Sequence, residues 1–187
     1  MNKAVLISIQ PKWCGKIFSG FKNVEFRKRK PYFPTPFKCY VYCTAGKDTL
    51  TDIIRDGQEI YGEAYHGKTV FIKYDRDCPV DLWHKKKTVI GELTIDRIEP
   101  VTWDAEQQKT FYGGKEEQGL LSGGLLVKEF LKYQGNGTVY GWHIADYKMY
   151  KEPKTVSDFR FAGRTDRVKV APQSFCYVNE VEDEIND

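Results

Sequence analysis

The sequence predicts an α+β fold: a small, mostly antiparallel β-barrel with flanking helices, in one domain spanning residues 1–187. Three observations predict it. The chain opens as strand, short helix, strand between residues 4 and 28. Many later segments carry β-branched and aromatic residues between turn signals, as short strands do. No internal repeat, low-complexity tract or linker marks a second domain.

The elements follow in order. Residues 4–9, Ala-Val-Leu-Ile-Ser-Ile, form a strand. Pro11 suits the first turn of the next helix, where its missing N–H costs nothing, and Ser8 or Gln10 is placed to cap it. Trp13, Ile17 and Phe18 fall on one helical face, and Gly20 ends the helix. Residues 23–28 alternate as a second strand. Pro31, Pro34 and Pro36 then break the chain into a loop that displays Tyr32 and Phe33. Residues 37–44 form a strand with Cys39, Val41 and Cys43 on one face and Tyr40, Tyr42 and Thr44 on the other.

Residues 46–87 read as an insertion: a short helix at 50–55, a strand at 68–74, and a charged stretch ending in Lys85-Lys86-Lys87. Residues 88–98 are a strong strand, in which Gly91 marks a bulge or a close backbone approach. Residues 101–111 have no single pattern. A helix is expected at 120–133, stopped by Gly135-Asn136-Gly137. A long strand covers 138–150. There Trp142 belongs in the core by the usual fate of large aromatics, and His143 and Tyr147 are within reach of a ligand. A helical turn at 156–161 precedes the last strand, which follows residues 171–175. Residues 179–187 are an acidic tail that reads as a solubilising end; competition with a bound polyanion is the alternative.

The candidate site lies in residues 20–31. Val24 and Phe26 face one way and Glu25 and Arg27 the other. Glu25 sits among Lys22, Arg27, Lys28, Arg29 and Lys30, so its carboxylate should stay ionised and orient the guanidinium beside it. Taken alone, such a run is more often a solvated strand end. Basic residues interleaved with Tyr32 and Phe33 suit single-stranded nucleic acid, because bases stack on rings while cations take phosphates.

Composition narrows the classes. With 41% hydrophobic and 29% charged residues, the 187-residue chain is globular and long enough for a sizeable core. Its net charge is only +3, so any preference for polyanions rests on the local basic cluster. No apolar run approaches a membrane span, and residues 4–9 are too short for a secretory leader. The 5 cysteines are odd in number and scattered. They read as reduced thiols in a cytoplasmic protein without membrane association, and Cys39 and Cys43 as core packing. His66, His84 and His143 fall at no ligand spacing, so no metal is expected. No phosphate-binding glycine loop, His-Glu-x-x-His or Gly-x-Ser-x-Gly occurs, so no cofactor is expected. A monomer is assumed.

The stretch LISIQPKWCGKIFSGFKNVEFRKRKP resembles the opening motif of the ASCH domain, a PUA-like β-barrel. The shared features are a strand ending Ser-Ile-x-Pro, a helix carrying Lys-Ile-Phe-x-Gly, and then Lys-x-x-Glu-x-Arg. Val89-Ile90-Gly91-Glu92-Leu93 and the closing APQSFCYV at residues 171–178 resemble segments of phage and prokaryotic members. The resemblance covers residues 4–44 and 88–178, and residues 46–87 exceed the usual connection. It implies a helix packed across the barrel mouth near residues 120–133. Some ASCH proteins resemble an amidohydrolase that deacetylates acetylcytidine with a Lys-x-x-Thr arrangement; Lys22 matches the lysine, but Glu25 stands at the threonine and would ion-pair with Lys22 or Arg27 instead. Others resemble metal-independent ribonucleases using Lys, Ser and Tyr, which Lys22, Ser174 and Tyr42 would supply.

Two functions follow for one cleft. The first is binding of RNA, other single-stranded nucleic acid or a nucleoside or nucleotide, with a regulatory role included. Its candidate residues are Ser8, Lys22, Glu25, Arg27, Lys28, Arg29, Lys30, Thr44, Gln173 and Ser174. The second is hydrolysis of RNA or a modified nucleoside, with Lys22, Glu25, Tyr42 and Ser174 as candidate catalytic residues. Lys22→Ala separates them: a binder loses affinity modestly, and an enzyme loses turnover by orders of magnitude.

Overall fold

The structure, a computed structural model, describes residues 2–18, 20, 22–45, 86–107, 109–116 and 127–181. The expected insertion at 46–87 therefore lies outside the described residues except for its last two positions, and most of the acidic tail lies outside them too. The elements are β1 (Lys3–Ile9), α1 (Pro11–Phe18), β2 (Val24–Arg27), β3 (Phe37–Cys43), β4 (Val89–Asp104), β5 (Lys109–Tyr112), β6 (Lys115–Glu116), α2 (Val127–Gln134), β7 (Val139–Lys154) and β8 (Phe175–Asn179). A 3₁₀ turn, Val156–Asp158, lies between β7 and β8.

One sheet holds the fold together, in the order β2-β7-β4-β3-β1-β8, with β5 on β4 and β6 on β5. Every pairing is antiparallel except β1 with β3. A parallel neighbour requires a crossover, and here the crossover is α1, β2 and the proline loop. The basic stretch is therefore thrown across the sheet by topology.

The expected barrel is a curled sheet whose ladder does not close among the described residues. Side-chain contacts from β2 and the loop after it cross the open seam to β1 and β8 instead. The Arg27 guanidinium on β2 donates to the Ser8 carbonyl at the end of β1 (2.8 Å). The Tyr32 amide donates to the Tyr177 hydroxyl on β8 (3.3 Å), and the Phe33 ring packs against Tyr177 (centroids 5.6 Å apart). Register shifts along β4 against β7, between Val89 and Gly91 and again around Ile95, supply the bend.

The long strand expected at 138–150 is β7, which runs 16 residues, and β4 runs 16 residues as well, beyond the end expected at 98. The unpatterned stretch at 101–111 divides between the end of β4 and β5. Of the expected helix at 120–133, residues 127–134 are helical as α2, and 120–126 lie outside the described residues. Residues 179–181 are docked rather than frayed: the Glu180 amide donates to Asn2 O (2.9 Å) and the Val181 amide to the Tyr40 hydroxyl (2.8 Å).

The core has three parts. Inside the curl, Val5, Ile7 and Ile9 of β1 meet Cys14, Ile17 and Phe18 of α1, Cys39, Val41 and Cys43 of β3, and Trp142 of β7. On the outer face, Leu6, Tyr40, Phe159 and Val178 form a second cluster, so both faces of β3 are covered. Under α2, Val24 and Phe26 of β2 pack with Phe130, Val101 and Tyr112. Burying the Phe130 ring stabilises the docking of α2 by about 2 kcal/mol over leaving it in water.

Two glycines are required where they stand. Gly20 has φ +82° and donates to Ile17 O (3.0 Å), ending α1 as expected. A Cβ on Gly91 would lie 2.7 Å from the Phe18 ring and press on the Lys148 carbonyl, which is the close backbone approach expected there. Ser8 does not cap α1. Its hydroxyl donates to Pro172 O (2.6 Å), and the start of the helix is bonded to the Gln10 carbonyl by the Trp13 and Cys14 amides.

Candidate functional site

The inward face of β2 carries an ionic triad. Glu25 Oε2 accepts from the Lys22 ammonium (2.6 Å), and Glu25 Oε1 pairs with the Arg27 guanidinium (2.9 Å). Lys22 also donates to the Val24 carbonyl. The period of two puts Glu25 and Arg27 together opposite Val24 and Phe26, and the turn after Gly20 brings in Lys22, whose amide donates to Lys16 O (2.9 Å).

The triad is buried, not solvated. Lys22 is 2% exposed and Glu25 7%. Burial alone would raise the Glu25 carboxyl, but Lys22 and Arg27 overcome it and hold the group below its ordinary value, so it stays ionised as expected. Burial draws Lys22 below the ordinary lysine value, and the Glu25 carboxylate opposes this only in part. Arg27 Nε is buried and has no hydrogen-bond partner among the described residues, so the protein does not fully satisfy the guanidinium. Burial likewise raises the neighbouring thiols Cys14 and Cys39 far above a reactive range, which makes them packing groups.

The triad lies in a cavity of about 770 Å³. Its walls are the end of β1 and the residue after it (Ser8, Ile9, Gln10), Trp13 of α1, Glu25, Phe26 and Arg27 of β2 with Lys22 and Lys28 beside it, Thr44 after β3, Lys132 and Tyr133 of α2, and Gln173. The Tyr133 hydroxyl donates to Phe26 O (3.3 Å), and Phe130 packs edge-on against Phe26 (5.8 Å), so α2 is fixed across the opening. Trp13 is half-buried, with the Lys16 ammonium over its ring (5.2 Å).

Of the residues singled out from sequence, Ser8, Lys22, Glu25, Arg27, Lys28, Thr44 and Gln173 meet at this cavity. Ser174 does not line it; its carbonyl accepts from the Ser8 amide (2.9 Å). Tyr42 points away, packing on the outer core, so Lys22, Ser174 and Tyr42 are not assembled as a catalytic group. Lys28, Arg29 and Lys30 are exposed and fan out over Tyr133, Phe175 and Tyr140 respectively. Trp142 is core, as expected, and its neighbour His143 pairs with Asp96 (2.6 Å) away from the cavity. Lys132 and Tyr133 were not singled out as site residues. No local signal names them, because their place depends on the contact between Phe130 and Phe26. Among the described residues no cluster of His, Cys, Asp or Glu could hold a metal ion, and no helix is long and apolar enough to cross a membrane.

A curled, mostly antiparallel sheet with two helices packed beside it is an α+β fold. The chain matches no protein-family model and no curated protein. Solved structures do share the fold. The ASCH protein of Zymomonas mobilis is 18% identical with a TM-score of 0.55, over 95% of this chain and 88% of that one. A point mutant of the Zymomonas mobilis protein gives 19% identity and a TM-score of 0.54, over 96% of this chain and 92% of that one. The chain has the ASCH domain fold.

Proposed function

We propose that this protein binds single-stranded RNA, or a nucleotide of the kind RNA is made from, in the cavity under α2. The observation that carries the proposal is the buried triad. Both Glu25 oxygens are engaged by Lys22 and Arg27, so the floor offers no free carboxylate and carries one net positive charge. Trp13 gives a wall on which a base can stack, and Lys28 and Lys132 give charges for phosphate. At about 770 Å³ the space suits a small-molecule unit such as one nucleotide.

Hydrolysis of RNA or of a modified nucleoside is the second reading. Two observations favour it: burial lowers Lys22, as in catalytic lysines, and the Thr44 hydroxyl lines the same cavity. Binding fits better, because Lys22 would have to break an ion pair with a buried carboxylate before acting as a base.

The test is fluorescence anisotropy with a labelled RNA hexamer, alongside chromatography of the RNA and of acetylcytidine after incubation. Wild type should bind in low salt and leave both compounds intact, and Trp13→Ala should weaken binding about 5- to 100-fold. Turnover that disappears in a folded Lys22→Ala variant would replace the binding reading with the hydrolase. Absence of binding and turnover alike would refute both.

A further inference from the structure

The pieces that seal the sheet's open seam lead directly out of the cavity. Lys28 lines the cavity, and its neighbour Arg29 stands over the Phe175 ring of β8 (6.0 Å). Phe175 meets Tyr177 edge-on (5.9 Å), and Tyr177 meets Tyr32 (4.3 Å). The Lys3 ammonium lies over Tyr32 (5.2 Å). A row of three rings thus runs from beside the cavity along the seam, with Arg29 at one end and Lys3 at the other.

Sealing the seam does not need all of them. Phe33 packs against the core and Tyr177, and Tyr32 contributes its backbone amide to the seal, which leaves most of its own ring outside. Tyr32 remains 65% exposed, with a cation on each side of the row that it ends. A row of rings flanked by cations matches a single polynucleotide strand: every base has a face to stack, and every phosphate needs a counter-charge.

We propose that this seam is a second binding surface, a track for the strand that continues from a nucleotide held in the cavity, with Tyr32 as its exposed stacking platform. The ligand is then a polymer rather than a free nucleotide. The track rests on the cavity reading for its starting point, but its residues are separate, so each can fail alone.

The experiment is competition anisotropy against a labelled RNA octamer. The competitors are the nucleoside monophosphate and the di-, tetra- and octanucleotides of the same base. The proteins are wild type, Trp13→Ala, and Tyr32→Ala combined with Arg29→Gln, with melting temperature as the fold control. In wild type, affinity should rise at least about tenfold from monophosphate to tetranucleotide, and the double variant should lose about tenfold of that length advantage, which is within the range of one stacked base. If the monophosphate binds through Trp13 but longer RNA binds no tighter, or if the double variant keeps the full advantage, the track is overturned and the cavity stands. If the length advantage depends on Tyr32 and Arg29 while Trp13→Ala changes nothing, the track stands and the cavity reading falls. Failure of every competitor overturns both.

Discussion

Replacing Glu25 with Gln tests the triad. From sequence, this change reads as mild, since Gln keeps the size and one acceptor oxygen. Burial makes it costly. Glu25 Oε2 and Oε1 accept from two different cations at 2.6 and 2.9 Å. An amide can accept from one of them and must turn its own N–H groups toward the other. Lys22, 2% exposed, then keeps its charge without a counter-ion. Removing one partner of a buried pair costs about 3–5 kcal/mol, and the retained acceptor puts this case near about 3 kcal/mol. At this chain length each kcal/mol shifts the melting temperature by about 2–4 °C, so a fall of about 6–12 °C is expected at neutral pH.

The pH dependence carries its own sign. Glu25 is held below its ordinary value of 4.5, so the folded state binds this proton less tightly than the unfolded state does. The stabilisation is fully present above that ordinary value and is lost as pH falls through the lowered folded value. The gap in melting temperature between wild type and Glu25→Gln should therefore be widest near neutrality and close under acid. Other carboxylates titrate in both proteins and cancel in the difference. Scanning calorimetry at several pH values measures it. A gap under about 2 °C at neutral pH, or one that does not narrow in acid, would refute the reasoning.

Further outcomes follow from the same geometry. Arg27→Lys should weaken RNA binding to within about threefold of Arg27→Ala, measured by anisotropy, because an ammonium cannot hold the planar fork between Glu25 and Ser8 O. Gly91→Ala should cost about 1–3 kcal/mol by urea denaturation, since its Cβ would sit 2.7 Å from the Phe18 ring. Replacing Lys28, Arg29 and Lys30 together with Ala should lower the slope of log affinity against log salt by up to about 2, at about 0.7 per lost phosphate contact. An unchanged slope would make these three cations a solvated face.

What was legible in the sequence is what depends on local period. Alternation in β2 places Glu25 and Arg27 together, and the surrounding charge states the ionisation of Glu25. Gly20 ends α1, and Gly91 marks a tight contact, because both follow from backbone sterics. What was not legible depends on partners far along the chain. Ser8 stands where a cap would, yet its hydroxyl reaches Pro172, 164 residues away. The strand read at 88–98 does not stop there: β4 runs on through Pro100, which pairs with Tyr140 of β7. The faces of β3 are visible from the period of two, but not which face meets the cavity. The Cys39 face turned inward, and Tyr42 went with the other.

The same distinction explains the site. Alternation alone makes β2 a polar strand of no fixed depth. Its depth comes from Val24 and Phe26, which need a cover, and α2 supplies one through Phe130. Burying that face presses the opposite face against the interior of the curl, where Glu25 can remain charged only with a partner for each oxygen. Lys22 and Arg27 fill those positions, and two cations on one carboxylate leave a single positive charge in a cavity that Lys28 and Lys132 make more positive still. The packing that fixes the strand therefore also sets the sign of the cavity's charge, which is the sign the proposed nucleotide ligand requires.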